Sequence, residues 1–369
     1  MSTAKLTAGV FRTDLKMADG RNIHYYDLGE VNRNAVDKRE LDPRPAVGEL
    51  RLDLLTDEWV AMAPSRQTRA FLPPKELCPL CPSKPGLESE IADSNYQVVV
   101  FDNKSPSLAA PTKDFELPKN EGRNTKNAEA AGHCEVICFT DHHEGSFGTI
   151  DLSQMRVVME AWRDRVKELS KLPYVEHIFP FENRGEEVGV TLNHPHGQIY
   201  AYSFIPPRTE KMLANATAYL KKHGVPLLTD IIARELKDEV RIVATNAHWI
   251  AYVPYAARYP FEIHIAPRKF VSDLAHLSDD VADDFPEIAK EVLQRLDSVF
   301  EMKMAYIAAW HQAPVRVGRD VARLHWQITS VRRAPGKLKY LAGSESAFGG
   351  FMMDLMPEQS AQQLRDARI

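Results

Sequence analysis

One order of elements is written twice in this chain, and that repetition is what most constrains its fold. In the first half, a β-prone run at 96–103 (YQVVVFDN) precedes a second at 134–140. Asp151 or Ser153 can then cap a helix whose apolar stripe is Met155, Val158, Trp162, Val166 and Leu169. A strand at 174–181 ends at Asn183-Arg184-Gly185, and a further strand follows from His194-Pro195-His196. In the second half, strands near 241–253 and 261–266 precede a helix with the stripe Val281, Phe285, Ile288, Val292, Leu296 and Val299. Ser278 could cap that helix, but Pro286 would then sit deep inside it, so a start near Asp284 is expected. A strand at 303–310, ending Trp310-His311, and another from Leu324 complete the set. Corresponding elements lie roughly 126–134 residues apart, as two copies of one α+β unit would. The expected fold is a tandem pair of these units forming a largely antiparallel sheet flanked by helices.

The expected division is a polar N-terminal arm or linker at 1–46, a first unit at 47–205 and a second unit at 206–369. Residues 50–62 read as a hairpin turning near Thr56-Asp57. A chain of 369 residues can bury two such cores. Its net charge of −5, with no basic block, argues against nucleic acid as a partner. No apolar stretch reaches membrane-span length, and the N-terminus lacks a signal-peptide core. A cytoplasmic protein is expected.

The chemistry concentrates in His194-Pro195-His196-Gly197-Gln198. Strand side chains alternate, so the two imidazoles would share a face about 6–7 Å apart. A neutral imidazole is a good nucleophile near pH 7 and can form a phospho-imidazole that keeps the donor's transfer potential. Gly197 would let backbone N–H groups approach a phosphate, and Gln198 could donate to a phosphoryl oxygen. If His196 gave one ring N–H to a carbonyl, the other nitrogen would face the phosphate. Aligned on the repeat, His194-Pro195-His196 falls on His325-Trp326-Gln327, which places glutamine where the second copy would carry a nucleophile.

Four cysteines are too few for a disulfide scaffold. Cys78-Pro79-Leu80-Cys81 is a proline-bounded knuckle suited to a tetrahedral metal such as zinc. Cys134 and Cys138 lie in a strand, where four residues span roughly 13 Å, so both cannot join it. His142 or His143, together with His194, are the better candidates.

These residues resemble the galactose-1-phosphate uridylyltransferase family of the histidine-triad superfamily. The resemblance rests on Asn183-Arg184-Gly185, Gly189, Thr191, the His-Pro-His-Gly-Gln run, Arg51 to Trp59, Arg66-x-x-Arg69, the CxxC, Val136 to Phe139 and Trp310-His311-x-Ala313-Pro314. It spans roughly residues 45 to 350, and the N-terminal arm with 332–346 resembles its actinobacterial branch. It implies histidine-triad-like units and a ping-pong exchange of UMP between UDP-glucose and galactose 1-phosphate through His196. Arg66 and Arg69 would then hold phosphates, and Phe101 and Asn103 would contact uridine. Asn183, Gly189, Thr191 and Gln198 would position the nucleotide phosphates. Cys78, Cys81, His143 and His194 would hold a structural zinc. In the C-terminal segment Lys339, Gly343 and Glu345 match sugar-binding positions, but Ser344 stands where an aromatic is common. The family's second, iron-type site uses His-x-His where this chain has His325-Trp326-Gln327, so no second metal is expected. A homodimer is implied. The alternatives are a sugar-nucleotide or dinucleoside-polyphosphate phosphorylase using the same histidine, a histidine-triad hydrolase, and a non-enzymatic zinc-containing nucleotide sensor.

Overall fold

The computed structural model describes residues 2–7, 9–42, 47–68, 72–112, 116–117 and 126–369. The chain opens with three strands, β1 (Ser2–Lys5), β2 (Val10–Lys16) and β3 (Asn22–Leu28). β4 (Glu49–Asp53) and β5 (Glu58–Met62) form the expected hairpin, turned by Asp57 at φ 59°. β6 (Val98–Asp102), β7 (Asn127–Glu129), β8 (Gly132–Cys138), helix α1 (Leu152–Leu169), β9 (His177–Arg184) and β10 (His196–Tyr202) complete the first half. Two helices, α2 (Pro207–His223) and α3 (Leu227–Asp238), then lead to β11 (Ile242–Thr245), β12 (Trp249–Tyr252) and β13 (Phe261–Pro267). Helix α4 (Asp279–Ser298), β14 (Tyr306–His311) and β15 (His325–Ser330) follow.

Among the described residues, twelve strands join in one sheet, in the order β1-β2-β3-β6-β8-β10-β9-β14-β15-β13-β12-β11. Every neighbouring pair in it is antiparallel. The order is symmetric about the β9–β14 seam: β10, β8 and β6 lie outward on one side, and β15, β13 and β12 on the other. Counterpart strands start 129 residues apart, at 177 and 306, 196 and 325, and 132 and 261. The duplicated α+β fold is therefore built by pairing the two copies edge to edge, which removes an exposed edge from each.

Helices α1 and α4 lie side by side on one face, tied by Arg156 to Asp283 and by Arg163 to Asp279. Between them and the sheet sits an aromatic cluster: Trp162 packs on Trp310 at 5.9 Å, and Trp310 on Trp326 at 6.0 Å. Burying an aromatic of this size contributes on the order of 2–3 kcal/mol each. No helix among the described residues is long and apolar enough to cross a membrane.

Three expectations change. Residues 1–46 are not simply an arm, because their first strands extend the main sheet from β6 outward. Their charges hide the pattern: Arg12 pairs with Asp164 of α1, and Arg33 with Asp27. Helix α4 begins at Asp279 rather than near Asp284, with Pro286 inside it. The indole of Trp249 donates to the Val281 carbonyl and the Asn246 amide to that of Asp284, so side chains from β12 and the loop before it tie down the turn that leads into Pro286. Finally, the second-half histidine falls two residues from its expected partner, as described below.

Under the sheet a buried charge cluster cross-links β6, β8 and α1. The His133 imidazole lies 2.9 Å from Asp102 and 3.4 Å from Glu135, which Arg165 also grips. Burial opposes the charge on His133, but the two carboxylates raise its pKa from 6.5 to about 9. A raised imidazole stabilises the fold fully below pH 6.5, and that contribution is lost as pH rises through about 9. The thermal midpoint of His133→Gln should therefore change less than the wild type's between these limits; equal slopes in a pH series would remove this role.

Candidate active site and metal centre

β10 alternates half-buried and buried residues along its length. His196, Gln198 and Tyr200 face a cleft of about 670 Å³, while Ile199 and Ala201 enter the core. Phe101, Asn103, Asn183, Gly189, Thr191 and Arg66 line the same cleft. Nine of the residues named from the sequence thus converge, Gly197 included. Arg69 lies outside the described residues.

The His196 Nδ1–H donates to the His194 carbonyl at 2.7 Å, which leaves the lone pair on Nε2. His194 itself precedes the strand, so the period-two argument does not place it. Gly197 has a packing reason beyond any approach to phosphate: a Cβ there would stand 2.7 Å from the Phe181 carbonyl oxygen. Arg66 donates to Ser107 and to the Tyr200 hydroxyl, and Tyr200 donates to the Gln198 side-chain oxygen at 3.1 Å. That engagement leaves the NH2 end of Gln198 to offer to a phosphoryl oxygen. Tyr200 was not singled out from the sequence, although the alternation that selects His196 and Gln198 also selects it. Leu80, Val136 and Phe181 add apolar wall; the first two lie within named motifs, but the sequence assigns none of the three a role in the cleft.

The cysteine knuckle closes on the other side of His194. The ligating atoms of Cys78, Cys81, His143 and His194 all lie within 4.8 Å of one another. The Cys81 sulfur is 3.5 Å from Nδ1 of both histidines. Tetrahedral zinc with bonds of about 2.3 Å to sulfur and 2.0–2.1 Å to nitrogen would set that edge at roughly 3.5 Å. His194 donates from Nε2 to the Thr140 carbonyl at 2.8 Å, with the Tyr96 hydroxyl 2.9 Å away, which turns Nδ1 toward the thiols. Burial holds His194 neutral, its pKa lowered to about 4, and burial with Cys78 nearby pushes the Cys81 thiol up to about 12. A cation is what would ionise such a thiol, so the four groups fit a metal. His142 points away, its side chain 85% exposed. Cys134 and Cys138 are buried in apolar surroundings and do not join the group.

Lys339, Gly343 and Glu345 do not line this cleft. Lys339 instead pairs with Glu345 at 2.9 Å, at the start of a short helix, Gly343–Phe348.

The second half corrects the expected alignment. His325, not Gln327, stands at the His196 position: it starts its strand, and its Nδ1 donates to the carbonyl two residues back, Arg323, at 3.1 Å. Gln327 matches Gln198. A repeat offset of 129 rather than 131 was masked by Trp326, which enters the core where Gly197 stands in the first half. His325 lies between the rings of His311 and His264, at 5.1 and 5.2 Å, in a cavity of about 210 Å³ walled by α2 and α3. Burial pushes its pKa down to about 3.

The duplicated sheet sets an oriented imidazole at the mouth of a cleft of about 670 Å³, an arrangement suited to an enzyme that transfers a phosphorus-centred group. Residues 38–206 match the family described as galactose-1-phosphate uridyl transferase, N-terminal domain, and residues 212–368 match its C-terminal domain. The chain is 40% identical to a galactose-1-phosphate uridylyltransferase of Streptomyces lividans, over 96% of this chain and 97% of that one. It is 36% identical to that of Thermotoga maritima, over 87% and 99%. A solved uridylyltransferase structure, 31% identical, superposes with a TM-score of 0.77 over 86% of this chain and 98% of the other. The chain belongs to the galactose-1-phosphate uridylyltransferase family.

Proposed function

We propose that this enzyme exchanges UMP between UDP-glucose and galactose 1-phosphate by a ping-pong route through His196. The observation that carries the reading is the fixed tautomer: Nδ1–H is held by the His194 carbonyl, so the Nε2 lone pair is the nucleophile. Nε2 attacks the α-phosphorus of UDP-glucose, an N–P bond forms, and glucose 1-phosphate leaves with the electrons of the broken P–O bond. The carbonyl of His194 steadies the imidazolium that develops. A phosphate oxygen of galactose 1-phosphate then attacks the same phosphorus, the N–P bond breaks, and UDP-galactose departs.

Arg66 and Arg69 would offset phosphate charge, and Gln198 would donate to the phosphoryl oxygen as charge builds. Phe101 and Asn103 would contact the uridine, with Asn183, Gly189 and Thr191 along the phosphates. Cys78, Cys81, His143 and His194 would hold zinc, and four protein ligands leave it no open position for substrate, so its role is structural. A second metal is not part of this reading: Gln327 is occupied, donating to Glu262 and accepting from Arg208. Residues 47–205 would form the catalytic unit and 206–369 the supporting one, in a cytoplasmic homodimer. Exposed Tyr340, Phe348 and Met352 in the C-terminal segment support the dimer, with Lys339, Gly343 and Glu345 serving the partner's cleft.

Incubation with UDP-glucose should add one acid-labile uridylyl group to the peptide containing His196, and galactose 1-phosphate should remove it as UDP-galactose. Labelling by ADP-glucose alone would replace this reading with a phosphorylase. Release of UMP without an acceptor would replace it with a hydrolase.

A further inference from the structure

We infer that the turn between β2 and β3 and the segment after β3 act as a clamp on the metal-binding loop, through Arg21, Arg33 and Arg39. The inference rests on the proposed metal role of Cys78 and Cys81, but its geometry is independent of any ion. The loop from Cys78 to Ile91 is folded on itself: Ser83 N–H donates to the Ile91 carbonyl at 3.0 Å, and Glu90 N–H to that of Pro79 inside the knuckle at 3.0 Å. Glu90 therefore reports the position of the two cysteines directly. Each of its carboxylate oxygens meets a different guanidinium, Oε1 with Arg39 at 2.9 Å and Oε2 with Arg21 at 2.6 Å.

Arg21 is fully buried and reaches further, donating to the Asp102 carbonyl at 3.0 Å. Asp102 lies between Phe101 and Asn103, so one guanidinium spans the metal loop and the cleft wall. Arg33 grips the far end of the loop, pairing with Asp93 at 3.0 Å and donating to the Asn95 carbonyl at 2.6 Å. Tyr96 follows at once, and its hydroxyl donates to Leu80 and meets His194. All three arginines thus hold the C-terminal end of the loop, and the Glu90–Pro79 hydrogen bond carries that hold to the knuckle. Asp27, Asp37 and Asp19 hold the same arginines from the N-terminal side, so the clamp is pre-set rather than assembled by the loop. Arg21 and Arg33 precede residue 38, where the family match begins.

Removing a buried, multiply bonded arginine costs more than breaking a surface pair, because its carboxylate partners are left largely buried without a counter-charge. Hydrogen exchange on full-length Arg39→Met and Arg21→Met is the test, read with and without added zinc. Amides across 78–96 should exchange at least tenfold faster than in the wild type in both states, while those across 242–267 stay unchanged. Zinc should pass to a chromophoric chelator at least tenfold faster, and Arg39→Lys should restore part of the difference. Arg241→Met, which breaks the Glu235 and Glu358 pairs in the second half, is the control for general destabilisation. Wild-type exchange across 78–96 in Arg39→Met, or an equal rise in Arg241→Met, overturns the clamp. A chain that takes up no zinc overturns the metal assignment instead, and the exchange data without metal still decide the clamp.

Discussion

His196→Ala should lower UMP exchange by at least ~10⁴-fold while leaving metal content and fold unchanged, since the nucleophile is lost outright. The imidazole does two things that alanine cannot. It presents the Nε2 lone pair to phosphorus, and it spreads the resulting positive charge to an Nδ1–H already bonded to the His194 carbonyl at 2.7 Å. Water is no substitute, because the retained transfer potential of an N–P bond is what makes the second half-reaction reversible. His325 cannot take over: it has the same hydrogen bond, but it is buried beneath α2 and α3 with its pKa pushed down to about 3. Gln198→Ala should cost less, about 10²-fold, because it removes one donor to the phosphoryl oxygen and leaves the nucleophile in place. Rapid-quench assays with each variant, alongside zinc analysis, separate these effects. Exchange within tenfold of the wild type in His196→Ala would move the nucleophile elsewhere.

The repeat and the convergence of its motifs were legible because both depend on local periodicity. Alternation along 196–202 sorts cleft residues from core residues, and the 3.6-residue stripe of α1 faces the sheet as expected. What stayed hidden depends on pairing at a distance. Nothing local in Arg12, Arg21 or Arg33 says that their guanidinium groups will meet carboxylates far along the chain, Asp164, Glu90 and Asp93, so the N-terminal strands read as a polar arm. Pro286 points to a later helix start, but the side chains that tie down the turn before it, Trp249 and Asn246, come from far away in sequence. The offset of 129 was hidden because a buried Trp326 stands where the first half has Gly197, so the second strand start shares only the histidine and the glutamine of His196-Gly197-Gln198. Helices α2 and α3, which wall the second cavity, carry no motif that marks them in the sequence.

Loss of the metal should disable the enzyme as thoroughly as loss of the nucleophile, by a different route. Cys81→Ser should reduce zinc from about one per chain to near zero, since a serine hydroxyl is a poor ligand for the ion and the apparent binding energy of such sites is of order 10 kcal/mol. Because the metal would bind the folded state only, the thermal midpoint should fall by roughly 10 °C. Exchange should fall with it, and the connection is short. His194 would ligate through Nδ1, while its own backbone carbonyl holds the His196 proton. A slack His194 frees the His196 ring to adopt the other tautomer, which presents N–H rather than a lone pair to the phosphate. His194→Ala should therefore lose zinc and activity together, whereas His196→Ala keeps zinc and loses activity alone. His142→Ala, with its side chain in solvent, should change neither. Atomic-emission zinc analysis, thermal melts and exchange assays on the four variants decide the matter: equal zinc loss from His194→Ala and His196→Ala would mean that the two histidines do not divide scaffold from chemistry.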